Sequence, residues 1–193
     1  MTVTSNSSGV HLQRAVKGAA SADVRQLEQG KRSVMWIDVN STHHRGALSA
    51  AASEVIAYAA STARDHGLPL VMSLGSSGAD IVEGVAALHG WGQAAHAIAD
   101  CSGVVPIITI VNGPAVSGPA LLIGLSDFVI MTADSYAFVS GPTMVAEFTG
   151  IEISNEELGG TDAHARQSGV ASLVVQDAEL AMTSLEHLLM YLP

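Results

Sequence analysis

From residue 34 onward the chain alternates short apolar runs with longer stretches of helical spacing. Residues 34–39 and 70–74 are compact apolar runs and predict strands. Residues 104–111 form a β-branched run whose only polar member is Thr109, the pattern of a strand covered on both faces. Between these runs, residues 47–66 are rich in alanine, with Ala51, Val55 and Ala59 at helical spacing, and residues 82–100 repeat that character. Asn112-Gly-Pro114 is expected to break the third strand, and residues 118–125 to open a short helix. Residues 128–131, 136–140 and 170–175 predict further strands. Ser154 followed by Glu157 is a capping-box signal, and residues 177–191 form a leucine-bearing final helix. Strands alternating with helices predict an α/β fold of stacked β-α-β units around a mostly parallel sheet. Before residue 34 the pattern is weaker. Residues 1–9 are rich in Ser, Thr and Asn, and residues 12–27 suggest a short helix, so residues 1–33 are expected to form a flexible or partly helical arm and residues 34–193 a single domain.

Composition narrows the class. Of 193 residues, 48% are hydrophobic and 13% charged, which excludes a disordered chain. The apolar runs fall short of the roughly 18 residues of a membrane helix. No secretory leader is recognisable. The single cysteine, Cys101, excludes an internal disulfide and a multi-cysteine zinc ribbon, and points to the cytoplasm. Charge is uneven: residues 1–45 carry a net +3 and residues 46–193 a net −13. An acidic body argues against nucleic-acid binding, and the scarcity of charge argues for an apolar surface used in an oligomer.

Candidate chemistry lies in two small-residue turns, each following a buried strand: Gly75-Ser-Ser-Gly-Ala79 and Asn112-Gly-Pro-Ala-Val-Ser-Gly118. In a parallel sheet both fall at the carboxyl ends of their strands, where α/β ligands bind. Small residues admit a ligand to the backbone, and free N–H groups there can hold a developing oxyanion. On composition alone both turns read more readily as plain strand-to-helix connectors. His43 and His44 lie in a polar turn, and His89 and His96 share a helix face without a further ligand set, so no metal is expected. Glu83 either faces the cleft or stabilises a helix start. Trp91 and Tyr191 read as packing or interface residues.

From Gly46 to Val175 the text resembles the N-terminal domain of the carboxyltransferase component of biotin-dependent acyl-CoA carboxylases, the propionyl-CoA carboxylase β type within the crotonase superfamily. The resemblance rests on Gly46-Ala-Leu48, Pro69-Leu-Val71, Ser77-Gly-Ala-Asp-Ile-Val-Glu-Gly-Val85, Ser102-Gly-Val-Val-Pro106, Asn112-Gly-Pro114 with Ser117-Gly118, Ser126-Asp-Phe128, Gly141-Pro142, and Glu157-Leu-Gly-Gly160 with His164 and Ser168-Gly-Val170. It implies a crotonase-like fold and transfer of a carboxyl group from carboxybiotin to the α-carbon of an acyl-CoA. By position it makes the N–H groups of Ala79 and Gly118 the donors to the enolate oxygen. Ser77, Gly78, Gly113, Ser117 and His164 become substrate-binding candidates. Leu121 stands where the hydratase branch has its glutamate, which argues against a hydratase. The resemblance also implies biotin on a carboxyl carrier, a second carboxyltransferase domain as partner, and a homo- or hetero-oligomer. Asp80 and Pro119 favour a second reading, a non-catalytic assembly domain of the same fold. A third is a stand-alone acyl-CoA decarboxylase or thioesterase.

Overall fold

The computed structural model describes residues 3–6, 9–12, 14–27 and 32–192, with side chains from residue 14 onward. In chain order the strands are β1 (Val3–Asn6), β2 (Gly9–Leu12), β3 (Ala15–Lys17), β4 (Ala20–Leu27), β5 (Arg32–Val39), β6 (Leu70–Ser76), β7 (Ile107–Val116), β8 (Phe128–Thr132), β9 (Tyr136–Phe138) and β10 (Leu173–Val175). The helices are α1 (Ala50–His66), α2 (Val85–Ala99), α3 (Gly118–Ile123), α4 (Pro142–Thr149), α5 (Asn155–Gly159), α6 (Thr161–Ala163) and α7 (Ala178–Leu189). The main sheet has the order β10-β8-β7-β6-β5-β4-β3, with β9 added beside the end of β7. Strands β5, β6, β7, β8 and β10 run parallel. Strands β3 and β4 extend the sheet antiparallel beyond β5.

Period-two burial builds two cores from the same strands. Met35, Ile37, Met72, Leu74 and Val111 point to the face covered by α1 and α2. Trp36, Val71, Ile108, Ile110 and Ile130 point to the other, where Ala181, Leu185 and Leu189 of α7 pack. The Arg32 guanidinium donates to the carbonyls of Leu189 and Leu192, pinning the end of α7 to the start of β5.

Helix α1 is alanine-rich because it must lie close to α2. A Cβ on Gly90 would fall 2.9 Å from the Ala50 α-carbon, so the contact admits hydrogen alone. Ser49 caps α1 by accepting the Ala52 N–H at 3.0 Å, and Gly67 ends it at φ 64°.

The segment before residue 34 departs from expectation. Of the residues read as a helix, 12–27, Leu12 closes β2, and Ala15–Lys17 and Ala20–Leu27 form β3 and β4, while Val3–Asn6 pairs antiparallel with β2. Their alanines favour helix locally. Pairing of β4 with β5 over eight residues overrides that preference, and Gly18 at φ 57° makes the turn. The division at residue 33/34 cuts through β5. Strand β7 also differs: it continues through Asn112-Gly-Pro114 to Val116. There it is held between β6, by Ser76 opposite Ala115, and β9, by Ala115 opposite Ala137. Helix α4 has Pro142 in its first turn and Gly150 at its C-cap, and no prediction covered it.

Candidate active site

Both small-residue turns stand at the carboxyl ends of adjacent parallel strands, β6 and β7. The first is braced from behind by a turn of reversed hand. His44, Arg45 and Gly46 have φ of 46°, 55° and 73°, three successive residues on the left-handed side. Only hydrogen fits on the inner face of that turn, since a Cβ on Gly46 would meet the Gly75 carbonyl at 2.0 Å. The turn's carbonyls point at β6. Arg45 O accepts the Ser77 N–H at 2.9 Å, and Gly46 O accepts the Ser76 hydroxyl at 2.5 Å. The same Ser76 oxygen takes the Gly78 N–H at 3.2 Å.

These bonds leave one amide unspent. Leu48 N–H donates to Gly78 O, and Asp80 N–H to Leu48 O, both at 2.9 Å, in a parallel bridge opposite Ala79. Successive peptides in an extended segment face opposite ways. The Ala79 N–H therefore points away from Leu48, and it has no acceptor among the described residues. Glu83 does not enter this turn's chemistry. Its carboxylate accepts the Ala50 N–H at 2.6 Å and so serves the N-terminus of α1 from the turn that precedes α2.

In the second turn, Ser117 has φ 63° and ψ −126°, a conformation suited to glycine. Its N–H donates to Phe138 O on β9 at 3.0 Å. Gly118 opens α3, with Pro119 next, and the Gly118 N–H likewise has no acceptor among the described residues. The two turns face each other closely: a Cβ on Gly78 would lie 3.4 Å from Ser117 Cβ and 3.5 Å from Val116 O. Ser77, Gly78, Ala79, Ser117 and Gly118 are thus brought together.

Gly113 and His164 are placed apart from that contact. Gly113 lies lower on β7, where a Cβ would be 3.9 Å from the Gly75 α-carbon. His164 has both ring nitrogens engaged, Nε2 with Ala137 O at 2.7 Å and Nδ1 with the Ser168 hydroxyl at 2.9 Å. It ties the segment after α6 to β9, which in turn holds Ser117. Leu121 is 49% exposed on α3, and its aliphatic side chain cannot move a proton.

Beside the site, a cavity of about 360 Å³ is lined by Asn112, Thr132, Asp134, Gln176 and Asp177. Among the described residues, no group of three or more His, Cys, Asp or Glu side chains is placed to hold a metal. No helix there is long and apolar enough to cross a membrane. Trp91, read from the sequence only as a packing or interface residue, has its indole directly against Gly118. Nothing in the local text marks it, because the two residues meet only when α2 and α3 are folded.

Parallel strands crossed by helices, with two abutting turns at their carboxyl ends, define a domain of the crotonase-like class, and solved structures of that fold superpose closely. The pattern of the carboxyl transferase domain matches residues 29–193, and the chain belongs to that family. It is 37% identical over 149 residues to the carboxyltransferase subunit of propionyl-CoA carboxylase from Haloferax mediterranei, a match covering 77% of this chain and 29% of that one. It superposes with a TM-score of 0.88 and 31% identity on the transcarboxylase 12S hexamer solved with methylmalonyl-coenzyme A bound, covering 91% of this chain and 34% of that one. The chain thus spans about a third of the length of these relatives. The fold also occurs in a shorter chain. In a Pseudomonas malonate decarboxylase hetero-dimer, 94% of this chain matches 81% of one subunit, with a TM-score of 0.80 and 20% identity.

Proposed function

We propose that this chain is the acyl-CoA-binding half of a biotin-dependent carboxyltransferase. The observation that carries the proposal is the pair of unspent N–H groups, Ala79 and Gly118, on turns that face each other with room for no more than a methyl at Gly78. A thioester oxygen accepting both would gain charge as its α-carbon loses a proton, and preorganised backbone donors hold such an oxyanion without reorganising. Ser77 and Gly78 shape the first donor, and Ser117 the second. Gly113 and His164 support the strands on which these turns stand. The α-carbon nucleophile then takes up a carboxyl group. In this reading carboxybiotin on a carrier would supply it: its N–C bond would break as the new C–C bond forms, the freed biotin nitrogen would take the α-proton, and the biotin pocket would lie on a second carboxyltransferase domain.

One feature supports the need for that partner. Directly after the first turn, Ile81, Val82 and Val85 are 92%, 90% and 82% exposed, a surface suited to burial against another domain. The same patch favours a second reading, an assembly domain that keeps the fold and has lost the chemistry. Calorimetric titration with acetyl-CoA, propionyl-CoA and CoA separates the two. The carboxyltransferase reading expects saturable binding, tighter for the thioesters than for CoA, and loss of that preference in Gly118→Pro or Ala79→Pro variants that keep their melting transition. Absence of binding by the folded chain, both alone and mixed with a second carboxyltransferase domain, would sink it.

A further inference from the structure

The second turn is gripped from two sides. On one, the Ser117 N–H is bound to Phe138 O of β9 at 3.0 Å. On the other stands Trp91 of α2. A Cβ built on Gly118 would sit 2.6 Å from the indole Nε1 and 2.9 Å from both Cδ1 and Cε2, so the ring edge occupies the space over the Gly118 α-carbon. Trp91 Nε1 is buried and has no hydrogen-bond partner. A buried donor without an acceptor is disfavoured and needs a reason to persist. The ring cannot easily leave. Gly90, its neighbour in sequence, is locked against Ala50 of α1 by a contact that admits no side chain. Between the two grips lies the Ser117 peptide at φ 63° and ψ −126°, which a residue with a Cβ adopts only when its surroundings impose it.

We propose that Trp91 is a positioning residue: its indole presses on Gly118, keeps Ser117 in the glycine-type conformation, and so aims the Gly118 N–H at the place of the thioester oxygen. The inference rests on the donor pair proposed above. It assigns Trp91 a packing role in that geometry and no direct contact with the acyl group.

Nuclear magnetic resonance on the full isotope-labelled chain tests the grip without a ligand. Backbone couplings across Ser117 read its φ, and the indole ring current should displace the Gly118 α-protons. In Trp91→Leu, which fills part of the volume but lacks the flat ring, Ser117 is expected to relax to negative φ. In Trp91→Phe, the conservative variant, it should stay positive. Calorimetry then reads the consequence. The preference for acetyl-CoA over CoA should fall about fivefold in Trp91→Leu, the equivalent of one neutral hydrogen bond, and be restored in Trp91→Phe. Undisplaced Gly118 protons in the wild type, or a positive Ser117 φ in folded Trp91→Leu, would overturn the proposal. So would equal loss in both variants, which would make the indole N–H itself the active group. A wild type that binds acetyl-CoA no better than CoA would instead refute the donor pair, while the couplings still decide whether Trp91 holds Ser117.

Discussion

At the scale of single residues, backbone conformation matters more here than side-chain chemistry. Ser117 bears a Cβ in a conformation that favours glycine. Ser117→Gly is therefore expected to raise stability by about 1 kcal/mol, read as an increased melting temperature. Ser76 has the opposite sensitivity. Its hydroxyl donates to Gly46 O and accepts the Gly78 N–H, both in a buried setting. Ser76→Ala leaves those partners unsatisfied and should cost about 1–3 kcal/mol in chemical denaturation. Cys101 is buried, with its sulfur 3.2 Å from Ala60 O, and burial is the main reason its thiol titrates above the ordinary value of 9.0. A raised pKa contributes stability below the unfolded value and loses it as pH climbs. Unfolding free energy should thus fall as pH rises above 9.0, and fall less in Cys101→Ala. The two candidate turns were legible in sequence because small residues clustered after two β-branched or apolar runs, while Ala79 and Gly118 within them were singled out by the family resemblance. Trp91 was not, since its meaning depends on a contact with Gly118 across two helices. His164 was legible as a member of the family pattern, yet the pattern could not tell a substrate contact from a bond to Ala137 O.

Among the elements, caps and close approaches decide what can change. Glu83 ends the N-terminus of α1 from a distance of 33 residues in sequence. Glu83→Ala should destabilise the chain by about 1 kcal/mol, measured by denaturation, and increase exchange of the Ala50 and Ala51 amides. Gly90→Ala drives a methyl against the α1 backbone, and a cost of about 1–3 kcal/mol is expected by the same measurement. At α5, the Ser154 backbone N–H and then its hydroxyl hold the Glu157 carboxyl below its ordinary range. That support is present above the unfolded carboxylate pKa and is lost as pH falls through the lowered one. Helices α1, α2 and α7 and the parallel strands were legible because their periodicity runs unbroken. Strands β3 and β4 were not, because alanine-rich text favours helix until a neighbouring strand offers a ladder. The extension of β7 through Pro114 was hidden for a similar reason: strand partners on both sides outweigh one missing N–H.

For the whole molecule, the distribution of apolar exposure is the property that local text shows least. Scarce charge predicted an apolar surface, but only the folded chain shows that Ile81, Val82, Val85 and Leu88, neighbours in sequence after the first turn, stay exposed. The isolated chain should self-associate through this patch at high concentration. An Ile81→Asp, Val85→Asp double variant should sediment as a smaller species with an unchanged melting transition. If its sedimentation matches the wild type, the patch is not what draws the chains together.

The turn at His44, Arg45 and Gly46 carries a last consequence, one of chirality. Its hand is the mirror image of the one L-residues favour, and its carbonyls set the first donor loop. An enantiomeric residue is at home there. In a chain assembled by chemical ligation, D-alanine at position 46 would turn its methyl away from the Gly75 carbonyl that an L-methyl strikes. Such a chain should fold at least as readily as the natural one, whereas L-alanine at the same atom count should not.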